Sequence, residues 1–595
     1  MKFKISVLLT ALLSVGLVAC NDDNNTQANP VEVVEPTPES IKLSLLGRYE
    51  TNIFAQSAAE IPAYDAASKR LFVVNAQKGL VDVLDASKPE KPVHIAELSA
   101  RTYLANSEVN SVAVKNGIVA LAVQAQNKTD TGIVVLFNAK DLSFISQVKV
   151  GSLPDMLSFS PDGKSILVAN EAEPNDDYSI DPEGSISIID ISNIQQPKVS
   201  TADFKAWNTQ KADLIAKGVR IFGPNATVAQ DLEPEYITIS HDSKTAWVTL
   251  QENNAIARID IAQQKVTDIY PLGYKDHGVI GNELDVSDRD GKIDIKNWAG
   301  LVGMYQPDSI ANYQSNGQTY LVTANEGDAR AWLKDSNAYF AGDTSKGFVE
   351  EIRVKDLFKS SGFSNKVKDE YPAHLQKIAA GVKGARLNAS TFAYCGATTT
   401  DAKGCREDGQ LGRLKVTWTK GYQMHSDGTP KLDADGYLVY DKLYAYGARS
   451  FSIWNTQGQL VWDSGSEFEK KIAELLPSYF NSDHEEVTFD KRSAAKGPEP
   501  EGITVGTIGK KTFAFIGLER MSGIMLYDIS TANKPKFIEY FTTRNFVETD
   551  PKKQGDLGPE GLTFISAKDS PNAKPLLVVG NEVSGSTAVY QINVQ

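Results

Sequence analysis

Along most of the chain, short apolar runs alternate with polar positions at the two-residue period of β-strands, and turn residues break them at short intervals. Residues 154–190 give Pro-Asp, a strand "MLSFS", a turn "PDGK", a strand "SILVANE", an acidic insert and a strand "SISIIDI". Residues 234–261 repeat this order with "YITIS", "TAWVTLQE" and "AIARIDI", and residues 500–529 repeat it with "GITVG", "TFAFIGLE" and "GIMLYDI". A further copy spans 559–592, another begins at Pro307-Asp308 and reaches Glu326, and two degenerate copies lie at 60–85 and 108–139. Seven such units, each of three or four short strands, predict an all-β, seven-bladed β-propeller over residues 41–595. The strand "IKLSLLGRY" at 41–49 is expected to pair into the last blade and close the ring.

In a propeller, the start of a blade's first strand and the end of its second lie on one face, close to the axis. Those positions are acidic here. Asp155, Glu235, Asp308, Glu501 and Glu560 start first strands, and Glu171, Glu252, Glu326, Glu519 and Glu582 end second strands. Long insertions emerge on the same face: the loop 172–183, a large excursion at about 327–440, and the connections 203–230, 263–304, 465–497 and 531–557. The segments 205–219, 369–382 and 466–480 carry helical spacing, so helices are expected to cap this face. Long loops on a rigid scaffold usually carry function.

Composition adds a compartment. Residues 1–19 pair Lys2 and Lys4 with an apolar run, and Leu-Val-Ala then precedes Cys20, the pattern of a lipoprotein signal with Cys20 as the lipidated residue. The expected product is an exported lipoprotein whose membrane partner is reached through Cys20, with the outer membrane favoured because Asn21 follows the cysteine. Residues 20–40 read as an acidic, proline-containing tether. Cys395 and Cys405 remain and are expected to form a local disulfide in an oxidising compartment. The chain's net charge of −14 disfavours nucleic acid, which it would repel.

The segments "LPDMLSFSPDGKSILVANEAEPNDDYSIDPEGSISIIDIS", "DLEPEYITIS", "YQPDSIANY", "VTANEGDAR", "GPEPEGITVG" and "FIGLERMSGIMLYDI" resemble the choice-of-anchor I proteins, exported bacterial proteins with varied envelope anchors. The resemblance covers roughly residues 45–595. Some members bear alkaline-phosphatase-like names, yet the resemblance supplies no catalytic residue set.

Carboxylates converging on one axis repel unless protonated or neutralised, and hard oxygen donors favour Ca²⁺ or Mg²⁺. The ten axial carboxylates are therefore candidate ligands for a divalent metal, Ca²⁺ foremost. The alternative leaves them bonded to backbone N–H groups or to Arg330, Arg449 and Arg520. In "LDVSDRDGKIDI", Asp285, Asp288, Asp290 and Asp294 form a second candidate calcium loop, though one that fails the EF-hand template. A metal-dependent phosphoesterase acting on a small anionic ligand would use His277, Lys275 and Arg330 as catalytic groups. A non-catalytic surface or mineral-associated scaffold is the remaining reading. Sequences for a serine-hydrolase elbow, a zincin or a Walker loop are not found.

Overall fold

The computed structural model describes residues 36–359 and 372–595, so the signal segment, Cys20 and most of the tether lie outside the described residues. Seven four-stranded antiparallel sheets organise these residues. In chain order their first strands are Pro62–Asp65, Glu108–Lys115, Pro154–Phe159, Ile237–Ile239, Ile310–Ser315, Pro500–Ile508 and Pro559–Ile565. Each first strand contacts the next, and Pro559–Ile565 contacts Pro62–Asp65, so the series closes on itself. The molecule is a β-propeller, and the sheets are its blades.

The burial of each strand follows its place in the blade. Second and third strands such as Ser165–Asn170 and Ser185–Asp190 are buried along almost their whole length, because neighbouring sheets cover both faces. Fourth strands such as Val93–Leu98 and Lys198–Asp203 are largely exposed at the rim. The strand Ile41–Glu50 pairs antiparallel with the last strand, Ser586–Val594, from Ile41 opposite Val594 to Glu50 opposite Ser586. The blade therefore joins both ends of the described chain, as the apolar run at 41–49 predicted.

In the fifth blade the second strand, Gln318–Asn325, pairs directly with Ser450–Asn455, so everything between them is an excursion from the ring. That excursion does not stand alone. Its strands Glu351–Arg353, Lys415–Thr417 and Leu443–Ala445 join Tyr274–Asp276 and Leu301–Met304, from the preceding inter-blade connection, in one five-stranded sheet. Two insertions that are separate in sequence thus share one core, which includes Trp298, Leu301, Phe392, Leu414, Trp418 and Tyr440. Cys395 and Cys405 form a disulfide within it.

The expected helices are present but short. Residues 205–217 divide into a 3₁₀ turn, Lys205–Gln210, and an α-helix, Lys211–Lys217, which Gly218 ends at φ 111°. Glu467–Leu475 buries Phe468 and Ile472 against the fifth and sixth blades. Of the segment 369–382, Pro372–Leu375 is helical.

Candidate metal centre

The axial acids are placed by a backbone device that repeats from blade to blade. Leu153, Gln306, Glu499 and Gly558, each just before the Pro-acid pair, have φ of 44°, 40°, 54° and 69°. Residues before proline normally favour extended backbone, so three non-glycine residues held there mark a built corner. In the third, sixth and seventh blades the ladder shifts just after the proline, between Pro154 and Leu157, Pro500 and Ile503, and Pro559 and Leu562. The acid stands in this bulge, which re-aims it away from the ordinary alternation. The acid ending the second strand is fixed alongside. The N–H groups of Glu171, Glu519 and Glu582 donate to the carbonyls of Leu153, Glu499 and Gly558 at 2.9, 2.8 and 2.8 Å.

The glycine of "PEG" explains how neighbouring blades come close. A Cβ on Gly502 would stand 1.8 Å from the carbonyl oxygen of Glu560 in the next blade. Only glycine admits that approach.

These devices concentrate negative charge. Oxygens of Glu326, Glu501 and Glu519 lie within 4.8 Å of one another, as do those of Glu60, Glu560 and Glu582, and a third group joins His484 to Glu519 and Glu582. The groups share Glu519 and Glu582 and so form one continuous arc across the fifth, sixth, seventh and first blades. Asp308, Glu326, Glu501, Glu519 and Glu582 also line a cavity of about 560 Å³, together with Asp328, His484, Lys496 and Arg520. Across the axis, Asp155, Glu171, Glu235 and Glu252 perturb one another.

Burial and mutual repulsion act in the same direction. Burial first, then neighbouring carboxylates, push Glu171, Glu235, Asp308, Glu501 and Glu560 well above the usual carboxylate range. Burial raises Asp155 and Glu252 to about 7 and Glu60 to about 8. Glu326, Glu519 and Glu582 are also raised, chiefly by burial. Among the described residues, one oxygen each of Glu235, Glu252, Glu501 and Glu560 is buried without a hydrogen-bond partner. An unmet buried acceptor costs roughly 1–3 kcal/mol, more when charged.

Basic groups offset part of the charge. Lys496 pairs with Glu326 and, at 3.3 Å, with Glu499. Arg520 reaches Glu499 at 3.1 Å and Glu519 at 2.9 Å, and Arg492 also pairs with Glu499. Their partner Glu499 is consequently held well below the usual range despite burial. The acidic loop 172–183 is tied to basic residues as well: Glu173 to Lys128 at 2.9 Å, Asp177 to Lys334 at 2.6 Å and Glu183 to Lys205 at 2.9 Å.

The remaining candidates occupy internal positions. Lys275 is buried beside Asp463 at 3.0 Å and donates to the carbonyls of Ala448 and Gly465. His277 is buried against the Asn282 carbonyl at 2.7 Å, and burial pushes its pKa down to about 3. Arg330 is sealed between Asp231 and Glu233, each at 2.8 Å. None of the three lines the acidic cavity. In the second candidate loop, 284–295, Arg413 holds Asp288 and Lys292 and Lys296 hold Asp294, whereas Asp285 and Asp290 have no such partner among the described residues.

Residues 60–532 match the choice-of-anchor I domain, well over half of the chain. The chain belongs to the choice-of-anchor I family. It is 25% identical over 388 residues to the Mesenchyme-specific cell surface glycoprotein of Strongylocentrotus purpuratus, covering 62% of this chain and 44% of that protein. It is 29% identical over 200 residues to Gigasin-3a of Magallana gigas, covering 31% of this chain and 66% of that protein. The match therefore spans less than two thirds of either relative. Similar solved structures include Kuenenia stuttgartiensis Hydrazine Synthase, at 12% identity and TM-score 0.42 over 91% of this chain and 97% of that one. Another is the Myceliophteria_thermophila Cps50 (Swd1) beta-propeller domain, at 8% identity and TM-score 0.38 over 91% and 99%. With TM-scores this low, the propeller assignment stands on the ring of sheets.

Sequence reasoning about this choice-of-anchor I domain overlooked Glu60, His484 and Lys496. Glu60 precedes Pro62 by two residues rather than following a proline, so the Pro-acid pattern passes over it. His484 and Lys496 sit in a connection with no repeat, and only the fold carries them to the axis.

Proposed function

We propose that this choice-of-anchor I protein is a surface or extracellular β-propeller that binds divalent cations, Ca²⁺ foremost, at its acidic axial cavity. One observation carries the reading. Glu326, Glu501 and Glu519 bring oxygens within 4.8 Å of one another while an oxygen of Glu501 stays buried without a hydrogen-bond partner among the described residues. Oxygens bound to one Ca²⁺ at 2.3–2.6 Å can lie up to about 5 Å apart, so the spacing suits a shared ion. Bound there, the cation would supply positive charge to the arc and open coordination positions for an anionic ligand entering the cavity. Lys496 and Arg520 would orient that ligand from the same walls. Surface placement is supported by the printed name of the Strongylocentrotus purpuratus relative and by the disulfide. Attachment through a lipid on Cys20 belongs to the same proposal, and metabolic labelling with palmitate should be lost in Cys20→Ala.

The deciding experiment is calcium titration of chelator-treated full-length protein, followed by calorimetry and thermal melting. Heat of binding and a raised Tm are expected in wild type, and both should shrink in Glu501→Gln. Identical titrations for wild type and the variant would remove the axial site from consideration.

A further inference from the structure

The face opposite the axial acids carries, in each blade, the turn between first and second strands and the turn between third and fourth. Its charge is unevenly spread. In the sixth, seventh and first blades these turns hold Lys510 and Lys534, then Lys568 and Lys574, then Lys69, Lys88 and Lys91. Only two acids, Glu90 and Asp569, accompany these seven lysines, a surplus of five positive charges on a chain of net charge −14. The flanking strand ends balance, with Asp65, Asp85 and Asp528 against Arg70, Lys511 and Lys536. In the other four blades the same turns carry three lysines and three aspartates. The sixth, seventh and first blades are neighbours around the ring, so the lysines form one arc.

All seven lysines are exposed, and among the described residues none lies within ion-pair distance of an acid. The acidic face differs: Lys128, Lys205 and Lys334 there are each paired. The chain also enters the propeller from the lysine face. Ile41, first in the closing strand, stands opposite Val594, where the last blade's third strand ends. Just before it, residues 37–39 lie on the first turn of the sixth blade. The Lys510 N–H donates to Thr37 Oγ1 at 3.0 Å, and Lys511 Nζ donates to the Glu39 carbonyl at 2.8 Å. A Cβ on Gly509 would stand 2.5 Å from Thr37 Cα. The segment leading back to Cys20 therefore departs beside the lysine arc, and residues 21–35 can reach no further than about 50 Å.

We propose that this lysine arc docks on the anionic headgroups of the bilayer that holds Cys20, with the axial cavity turned away from the membrane. The choice of a bilayer rests on the lipid attachment proposed above; the arc itself is a property of the fold. A lipid and a basic patch are complementary signals for holding a protein on a membrane. Each lysine adds attraction only within a Debye length of the surface, about 8 Å at physiological salt, so the gain requires the face to lie against the headgroups. The short turns of this face permit that approach, whereas the long insertions all rise on the other side. The acidic cavity then opens toward solvent, away from headgroups whose charge would repel an anionic ligand.

The test uses the processed chain, residues 20–595 with Cys20→Ala, so that no lipid contributes. Vesicles are phosphatidylcholine alone or with about a third phosphatidylglycerol. Cosedimentation should be about tenfold or more stronger on the anionic vesicles and fall away in about 0.5 M NaCl. The triple variant Lys510→Glu, Lys534→Glu, Lys568→Glu should lose that preference. The triple variant Lys140→Glu, Lys164→Glu, Lys244→Glu changes net charge equally on the balanced blades and should keep most of it. Amine acetylation on anionic vesicles should be blocked at Lys69, Lys88 and Lys510 and unchanged at Lys552, in the connection between the sixth and seventh blades on the acidic face. Should a triple variant melt below wild type, the salt dependence and acetylation pattern of the unreversed chain decide the matter. Failure here is distinct from failure of palmitate labelling at Cys20 or of calcium titration. Equal binding to both vesicles, equal loss in the two triple variants, or protection of Lys552 in place of the arc would overturn the proposal. Equal binding is also the outcome expected if the tether's own acids, Asp22, Asp23, Glu32 and Glu35, cover the lysines.

Discussion

At Glu501 one carboxylate oxygen is buried from water and meets no donor among the described residues, so the ionised group opposes folding until a proton or a cation reaches it. Burial likewise raises Asp155, Glu252 and Glu60, to about 7, 7 and 8. The sign of the pH effect follows. Folded pKa values above the unfolded ones, roughly 4, mean that the folded state holds more protons. This contribution is complete below about pH 4 and is lost as pH rises through 7 to 8. Chelator-treated protein should therefore have a higher Tm at pH 5.5 than at pH 8, and calcium should raise the Tm more at pH 8. A flat chelated profile would contradict the shifted carboxylates. Glycine at 502 makes a separate prediction. A Cβ there meets the Glu560 carbonyl at 1.8 Å, so Gly502→Ala should cost about 1–3 kcal/mol in urea unfolding and weaken calcium binding by spreading the blades.

Between elements, the insertions are held by buried ion pairs rather than by regular strand pairing alone. Arg330, on the excursion of the fifth blade, inserts between Asp231 and Glu233, on the connection before the fourth. Removing one partner of a buried pair leaves an uncompensated charge, so Arg330→Met should destabilise by about 3–5 kcal/mol, read by denaturant unfolding. Neutralising Asp231 and Glu233 in the same chain should recover much of that loss. The Cys395–Cys405 bridge closes a short loop within the excursion core. Loop-closure entropy assigns such a bridge about 3 kcal/mol. Reduction should speed hydrogen exchange across 384–445 and leave exchange in the blade strands unchanged.

For the whole molecule, completion of the last blade depends on one strand. Ile41–Glu50 completes the last blade, and Arg48 fastens it to Asp556 through two bonds of 2.7 Å. Deleting residues 36–50 exposes the edge of Ser586–Val594 and should lower the Tm by several degrees, with broadened unfolding and self-association in sedimentation. Arg48→Ala should show a smaller drop without self-association.

The propeller was legible in the chain because its cause is local. Each blade needs the same alternation, the same turn and the same axial corner, so the order "PD…SFS…VANE…IIDI" recurs and carries its geometry with it. The acids at Asp155, Glu171, Glu501, Glu519, Glu560 and Glu582 were legible for the same reason: they sit at repeated positions of a repeated unit. What the tertiary structure alone decided lies in the connections, which do not repeat. No local pattern pairs 274–276 with 301–304 and 443–445, sends Arg330 to Asp231, or brings His484 and Lys496 to the axis. Those contacts are selected by which charges and apolar faces remain unmet once the ring has closed. The same selection divides the loop 284–295, leaving Asp288 and Asp294 to basic partners while the Asp285 carbonyl accepts from Arg449.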